Sequence, residues 1–394
     1  NKEIYDGTKH PLGVAYYSQS FSGKLNLKDL KKHLFYNDNI KTIDANMYHC
    51  SWLYKPWIKE WGLTPPASFV NKLKEGEYRV ELETYFDPGK MLIADHHIQG
   101  KTNSTIILQN HTCHPHMAND GFAGTAIMIR LMQLLNKRKN HFSYRLILCP
   151  EHLGTIFYLN KIKSDEINSF VGGIFSEMLG SSANLTMGST FWGNHYLDSV
   201  MNHVGKFYIE KFKKLPFRQT VGNDETVWES PGYEIPFAQL NRTKKFGYPF
   251  EEYHSSLDTP LIIDNKKLNE AYYFLKNTID IIEKNNLIKR KFKGLISLSN
   301  PKYNLYKARL DPSYNNSFSN YDDEKFGYLQ DCIIRYMEGN MSILDIANRH
   351  EVPFFELYDW LKIWEEKKLI KLEQKTFDKN TTSSEEVVNL SWLK

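Results

Sequence analysis

Cysteine is scarce in this sequence, and long apolar runs are missing. The four cysteines, Cys50, Cys113, Cys149 and Cys332, are too few and too scattered for a disulfide framework, which favours a reducing compartment and a cytoplasmic location. No run reaches the ~18 apolar residues that a membrane span needs, and the first residues lack the basic-then-apolar pattern of a secretory leader. An excess of one charge is also absent: 50 basic against 46 acidic side chains leave +4 over 394 residues, which points to no particular partner. There is no initiator Met, as in a processed or truncated chain, and no internal repeat. What is present is the composition of an ordinary globular protein, 41% hydrophobic, with length enough for two or three domains and a large core.

Residues 104–132 concentrate the side chains that carry chemistry. Thr105, Ile106, Ile107 and Leu108 form a short apolar run, and Ala126, Ile127, Ile129, Leu131, Met132 and Leu135 recur at helical spacing. Between strand and helix lie His111, Cys113, His114, His116 and Asp120. Imidazoles and a carboxylate at the carboxyl end of a strand stand where an open α/β sheet places its ligands. A solvated polar loop is the plainer reading of any single histidine here, but their density favours a site.

Residues 1–100, rich in Tyr, Trp, Lys and Gly, read as a small β-rich domain. Residues 78–87 alternate at the period of a half-exposed antiparallel strand, and Asp87-Pro88-Gly89-Lys90 turns into a second strand over 91–98. His96 and His97 are neighbours on that strand, point to opposite faces and read as structural. Residues 25–34 give a short helix. Residues 101–290 alternate strands, over 104–109, 144–150, 170–178 and 237–240, with helices, over 121–137, after Gly154, from Asp198 to Lys213, and over 267–283. That order predicts an α/β domain with a mostly parallel central sheet flanked by helices. Residues 291–325 read as a linker. Residues 326–394 carry three helix signals and a closing strand, the pattern of a winged helix, with Ser342 capping the second helix and Pro353 opening the third.

Four more places put ligand-type residues directly after an apolar strand: Glu151 and His152; Glu177; Asp224 and Glu225; and Tyr253, His254 and Asp258. Singly, each is more often a cap or a surface group. Together they set His, Asp and Glu along one edge of a parallel sheet, as a metal hydrolase requires.

In the same order these residues resemble the M28-type zinc aminopeptidases. That family's pattern is a histidine after a strand, then Asn-Asp-x-x-Ser-Gly, Glu-Glu-x-Gly, Asp-Met-x-Gly and Tyr-His-x-x-x-Asp-Thr. This sequence has His-Thr-Cys-His from 111, Asn119-Asp120-Gly121-Phe122-Ala123-Gly124, Glu151-His152-Leu153-Gly154, Glu177-Met178-Leu179-Gly180 and Tyr253-His254-Ser255-Ser256-Leu257-Asp258-Thr259. The Cys-His-Pro, Gly-x-Asp-Glu and Tyr-His-Ser elements resemble more closely the bacterial aminopeptidase-like proteins often encoded beside polysaccharide-biosynthesis genes. That resemblance covers nearly the whole sequence and implies that a first segment of the catalytic domain lies outside it. It implies one or two zinc ions bridged by Asp120, with the opening-turn histidine and Glu177 on one and His152 and His254 on the other. Glu151 is then the general base, and Asp224, Glu225 and Tyr253 serve substrate binding. Where the wider family has Glu and Asp, this sequence has His152 and Glu177. His114, of the Cys-His-Pro element, is favoured over His111 as the first ligand.

The expected function is therefore hydrolysis of an amide bond in a small peptide-like or N-acylated substrate. A catalytically altered binding or regulatory protein on the same fold is the alternative, and a glutaminyl-cyclase-like aminoacyl transfer a third reading. Nucleic acid is not an expected partner. Residues 321–394 hold 15 acidic and 10 basic side chains, and Lys362 is the only base between Phe354 and Glu366, whereas phosphate contact demands Lys and Arg. A homo-oligomer is left open.

Overall fold

The computed structural model describes residues 12–244, 248–307, 321–383 and 387–388. Its centre is a seven-stranded sheet in the order β3-β5-β4-β6-β9-β7-β8. Buried apolar strands β4 (Thr105–His111), β5 (Ser143–Cys149), β6 (Phe170–Ser176) and β9 (Phe237–Arg242) run parallel. The crossovers include helices Ala123–Asn136 and Leu153–Lys161, which makes the α/β domain that the alternating pattern predicts. Two short strands escape the sequence reading: β7 (Leu185–Gly188), antiparallel to β9, and β8 (Phe212–Leu215), parallel to β7. At four residues each they carry too little periodicity to register.

The strand expected over 91–98 does form, as β3 (Ala94–Ile98), but it belongs to the central sheet. It runs antiparallel to β5, and Arg145 on β5 holds Asp95 through two bonds of 2.7 and 2.8 Å. The small N-terminal unit therefore ends before residue 94. A single antiparallel pair orders it, β1 (Phe21–Asn26) with β2 (Glu77–Leu82), over a core of Leu30, Leu34, Trp61, Val70 and Val80.

At the other end, β10 (Asn286–Arg290) lies between β11 (Glu338–Ser342) and β12 (Ile370–Gln374) in an antiparallel sheet. Helices Ile343–His350 and Phe354–Glu366 pack against it, and helix Tyr321–Cys332 packs on the first of these. Ser342 does cap the second of these helices, through a reciprocal pair with Asp345. The module is docked rather than tethered. Leu357, Trp360, Leu361 and Trp364 belong to the same hydrophobic cluster as Leu197, Val200 and Phe274 of the α/β domain. His203 bridges the two, its Nδ1 2.6 Å from Asn348 Oδ1 and its Nε2 accepting from the Phe354 N–H at 3.0 Å. Part of the expected linker, residues 308–320, lies outside the described residues.

Candidate metal centre

β4 and β5 are in register, His111 beside Cys149, so the chain leaving β4 and the Pro150-Glu151-His152 turn open at the same sheet edge. β6 ends one residue before Glu177. Between β4 and its helix, Asp120 sits at φ −84°, ψ 73° and Gly121 at φ +128°. A Cβ at Gly121 would come within 2.5 Å of Met117 Cε and 2.9 Å of His111 O, so the turn demands glycine. Asp258 fixes it from the far side by accepting the N–H groups of Asn119 and Asp120 at 2.7 and 2.9 Å. Asn119 Oδ1 in turn accepts from Gly180 N at 2.8 Å, which ties the loop after β6 to the same turn.

The side chains converge on Asp120. His111 Nε2 is 3.2 Å from Asp120 Oδ1 and 3.1 Å from Glu177 Oε2. His114 Nε2 and His254 Nε2 lie 3.4 and 3.3 Å from Asp120 Oδ2. Two triads of ligand atoms result, His111–Asp120–Glu177 and His114–Asp120–His254, and a third group joins His111, Cys113 and Glu151. The His111 and Glu177 side chains are 1% and 0% exposed, whereas His254 is 30% exposed and opens the centre to solvent.

The electrostatics follow from burial and crowding. For His111 burial alone would lower the imidazole pKa, but the closeness of Asp120, Cys113 and Glu177 outweighs it and holds it well above its ordinary value. Asp120 is pushed up by burial, yet the three imidazoles win and keep its carboxyl well below the usual range. Burial pushes Glu177 up to about 8.

A cation fits these donors. His114 Nδ1 faces the Pro115 carbonyl at 3.2 Å, which can only accept, so in the neutral ring Nδ1 carries the hydrogen and the Nε2 lone pair points at a carboxylate oxygen. His111 Nε2, His114 Nε2 and Asp120 Oδ2 are all buried without a hydrogen-bond partner. Lone pairs facing one another in a buried space are repulsive unless a proton or a metal ion lies between them.

Several expected roles change. His152 stands outside all three groups among the described residues. Its backbone is left-handed at φ +54°, its N–H is held by Asp224 Oδ1 at 2.7 Å, and its Nε2 is buried without a hydrogen-bond partner. His111, set aside in favour of His114, is brought in beside it. Asp224 and Glu225 are 0% and 1% exposed and spend their oxygens on the protein. Asp224 also accepts from Gln109 Nε2 at 3.3 Å, and Glu225 accepts from Asn223 N at 2.7 Å, while Asn223 Nδ2 donates to Glu177 Oε2 at 2.9 Å. Both thus bond to the loops that carry His152 and Asn223; burial, with Glu151's charge second, pushes Asp224 up to about 7. Tyr253 stacks on His254 at 3.8 Å.

Sequence reasoning missed Tyr48. The small N-terminal unit reaches over the centre, where Tyr48 N donates to His254 O at 2.7 Å and its ring packs 4.3 Å from His114 and 5.1 Å from His254. No local pattern marks that contact. Asp258 was visible within Tyr-His-x-x-x-Asp-Thr, but its backbone partners were not.

Known proteins bear on this arrangement. A Clostridium acetobutylicum protein, provisionally named for polysaccharide biosynthesis and an aminopeptidase-like domain, is 25% identical over 361 residues, 90% of this chain and 77% of that protein. The crystal structure of a provisionally named peptidase from Clostridium acetobutylicum superposes with a TM-score of 0.76 at 22% identity, over 94% of this chain and 80% of that one. BSAP, a zinc aminopeptidase from Bacillus subtilis, gives a TM-score of 0.51 at 15% identity over 63% and 62% of the two chains. The fold is thus that of the aminopeptidases. A model of one family, described as a domain of unknown function, DUF4910, matches residues 25–285, and the chain belongs to that family.

Proposed function

We propose that this protein is a metal-dependent, aminopeptidase-like hydrolase that cleaves the amide bond of a peptide or of an N-acyl or aminoacyl conjugate. One observation carries the reading: two triads share the Asp120 carboxylate, and facing atoms of His111, His114 and Asp120 lack hydrogen-bond partners. Imidazole nitrogen and carboxylate oxygen are zinc donors, so His111, Asp120, Glu177, His114 and His254 would hold one or two zinc ions. When bound, zinc supplies Lewis acidity, which acidifies a water and polarises a carbonyl.

The rest is work for the chain's own groups. Glu151, grouped with His111 and Cys113 at the half-buried edge of the centre, takes the proton of the attacking water. It returns that proton to the leaving nitrogen as the C–N bond breaks, giving a carboxylate and an amine. Asn223 and Gln239 hold Glu177 at 2.9 and 3.4 Å. Tyr48 and Tyr253 cover the imidazoles on the substrate side and exclude bulk water. The name of the Clostridium acetobutylicum relative makes an N-acylated amino sugar a substrate class to test early.

The test is elemental analysis of the protein as purified, with amine release measured across aminoacyl and N-acyl substrates with and without chelator. Bound zinc and chelator-sensitive release are expected. A metal-free protein that stays inactive after zinc addition would overturn the reading.

A further inference from the structure

One cavity, of about 610 Å³, has none of the triad residues in its lining. It opens beside Pro236, which precedes β9, and beside the turn that leaves β7. Because β7 runs antiparallel to β9, that turn lies at the amino ends of the parallel strands, whereas the ligand triads lie at their carboxyl ends. A seven-residue strand such as β6 separates the two edges by roughly 20 Å.

The turn presents two aromatic rings to water. Trp192 is 81% exposed and Phe191 53%. This is a built feature. Thr190 N donates to the buried Asp198 at 2.9 Å, Phe191 N to Glu229 at 3.0 Å and Gly193 N to Thr190 O at 3.0 Å, with Gly193 at φ +69°. A second cavity of about 400 Å³ lies on the other side of the same turn and shares Thr190, Phe191 and Trp192 with the first. The rings therefore stand between two clefts, where an extended ligand could cross them.

The polar lining selects among ligands. Asn194, Glu234, Lys379 and Asn380 line the larger cavity and offer donors and acceptors of both kinds. Glu229 and Glu234 against Lys379 leave the lining one carboxylate in excess, which disfavours phosphates and acidic peptides. A flat apolar ring beside mixed hydrogen-bonding groups is complementary to a pyranose, whose C–H face stacks on an indole while its hydroxyls both donate and accept. The volume lies within the ~300–1,000 Å³ of small-molecule sites. We infer that this cleft binds a neutral oligosaccharide, with Trp192 as its stacking platform and Asn380 and Glu234 among the groups that bond its hydroxyls.

The test uses the whole protein with neutral tri- and tetrasaccharides of glucose, mannose and N-acetylglucosamine, read by saturation-transfer NMR and calorimetry. At least one series should bind at millimolar concentration. Trp192→Ala should weaken it about tenfold or more, with the melting temperature unchanged because the ring is exposed, and Asn380→Ala should weaken it independently. Chelator treatment should leave sugar binding intact, so the result is separable from the proposed hydrolase activity. Failure of all three series, equal binding by Trp192→Ala, or a Trp192-dependent dimer in sedimentation would each overturn the inference.

Discussion

A neutral His114 ring aims a nitrogen lone pair at a carboxylate oxygen, which a proton or a metal ion between them relieves, and the proposed metal sets what single substitutions should do. His111→Ala or His254→Ala should remove one ligand from a triad and lower the bound metal. His152→Ala should leave metal content unchanged, because its ring lies outside the triads. Elemental analysis of the three variants separates the ligand set read from the motif from the set read from geometry. Glu151→Gln keeps the shape and removes the proton acceptor, so kcat should fall about 10²–10⁴-fold with zinc retained, measured on whichever amide substrate proves active. Equal metal loss in Glu151→Gln would instead make Glu151 a ligand.

At the scale of elements, the centre depends on how closely one helix start meets one strand. Gly124 opens the Ala123–Asn136 helix, and a Cβ there would stand 2.1 Å from Ser176 O and 2.3 Å from Asn110 Nδ2. Neither strand can yield without moving His111 or Glu177. Gly124→Ala should therefore cost about 1–3 kcal/mol and lower metal affinity together, a pairing that thermal melts of metal-loaded and stripped protein would reveal. The Phe354–Glu366 helix makes the opposite point. Its Phe354, Leu357, Trp360, Leu361 and Trp364 are buried against the chain, and Lys362 is paired with Glu365. We assign the C-terminal module an intramolecular role; salt-dependent duplex binding in a shift assay would count against that.

For the whole molecule, the docking of that module is the pH-sensitive joint. Burial pushes His203 down to about 4, from an ordinary value of about 6.5. Its Nε2 must stay unprotonated to accept from Phe354. A group whose folded pKa is depressed in this way is neutral when folded and takes up a proton on unfolding. Its contribution is intact above about pH 6.5 and is lost as pH falls towards 4, up to about 3 kcal/mol. Denaturant titrations from pH 7 to 4 should show this as a stability difference between the protein and His203→Gln that shrinks as pH falls, because buried carboxyls such as Glu177 and Asp224, raised to about 8 and about 7, act on both proteins alike and in the opposite direction. Chelation acts at the other end of the molecule: removing a metal that binds only the folded state should lower the melting temperature, more so at higher metal concentration. Among the described residues no helix is long and apolar enough to cross a membrane.

The sequence by itself determined the α/β pattern, because the apolar strands β4, β5 and β6 and the helices between them are local periodicities. It also determined that His111, Glu151 and Glu177 stand at or just after the ends of strands, since strand ends are legible wherever an apolar run stops. It could not say where β3 belongs. Pairing is a choice among partners, and Asp95 meeting Arg145 decides it only in three dimensions. Nor could it rank His111, His114 and His152. Residues two or three apart in a turn are separated by backbone dihedrals, and the left-handed backbone at His152, held by an Asp224 that lies 72 residues further on, is tertiary. Tyr48 reaches the imidazoles by the same logic: its place over the centre comes from the bonds that segments 46–48 and 254–256 exchange, across some 200 residues that no local pattern spans.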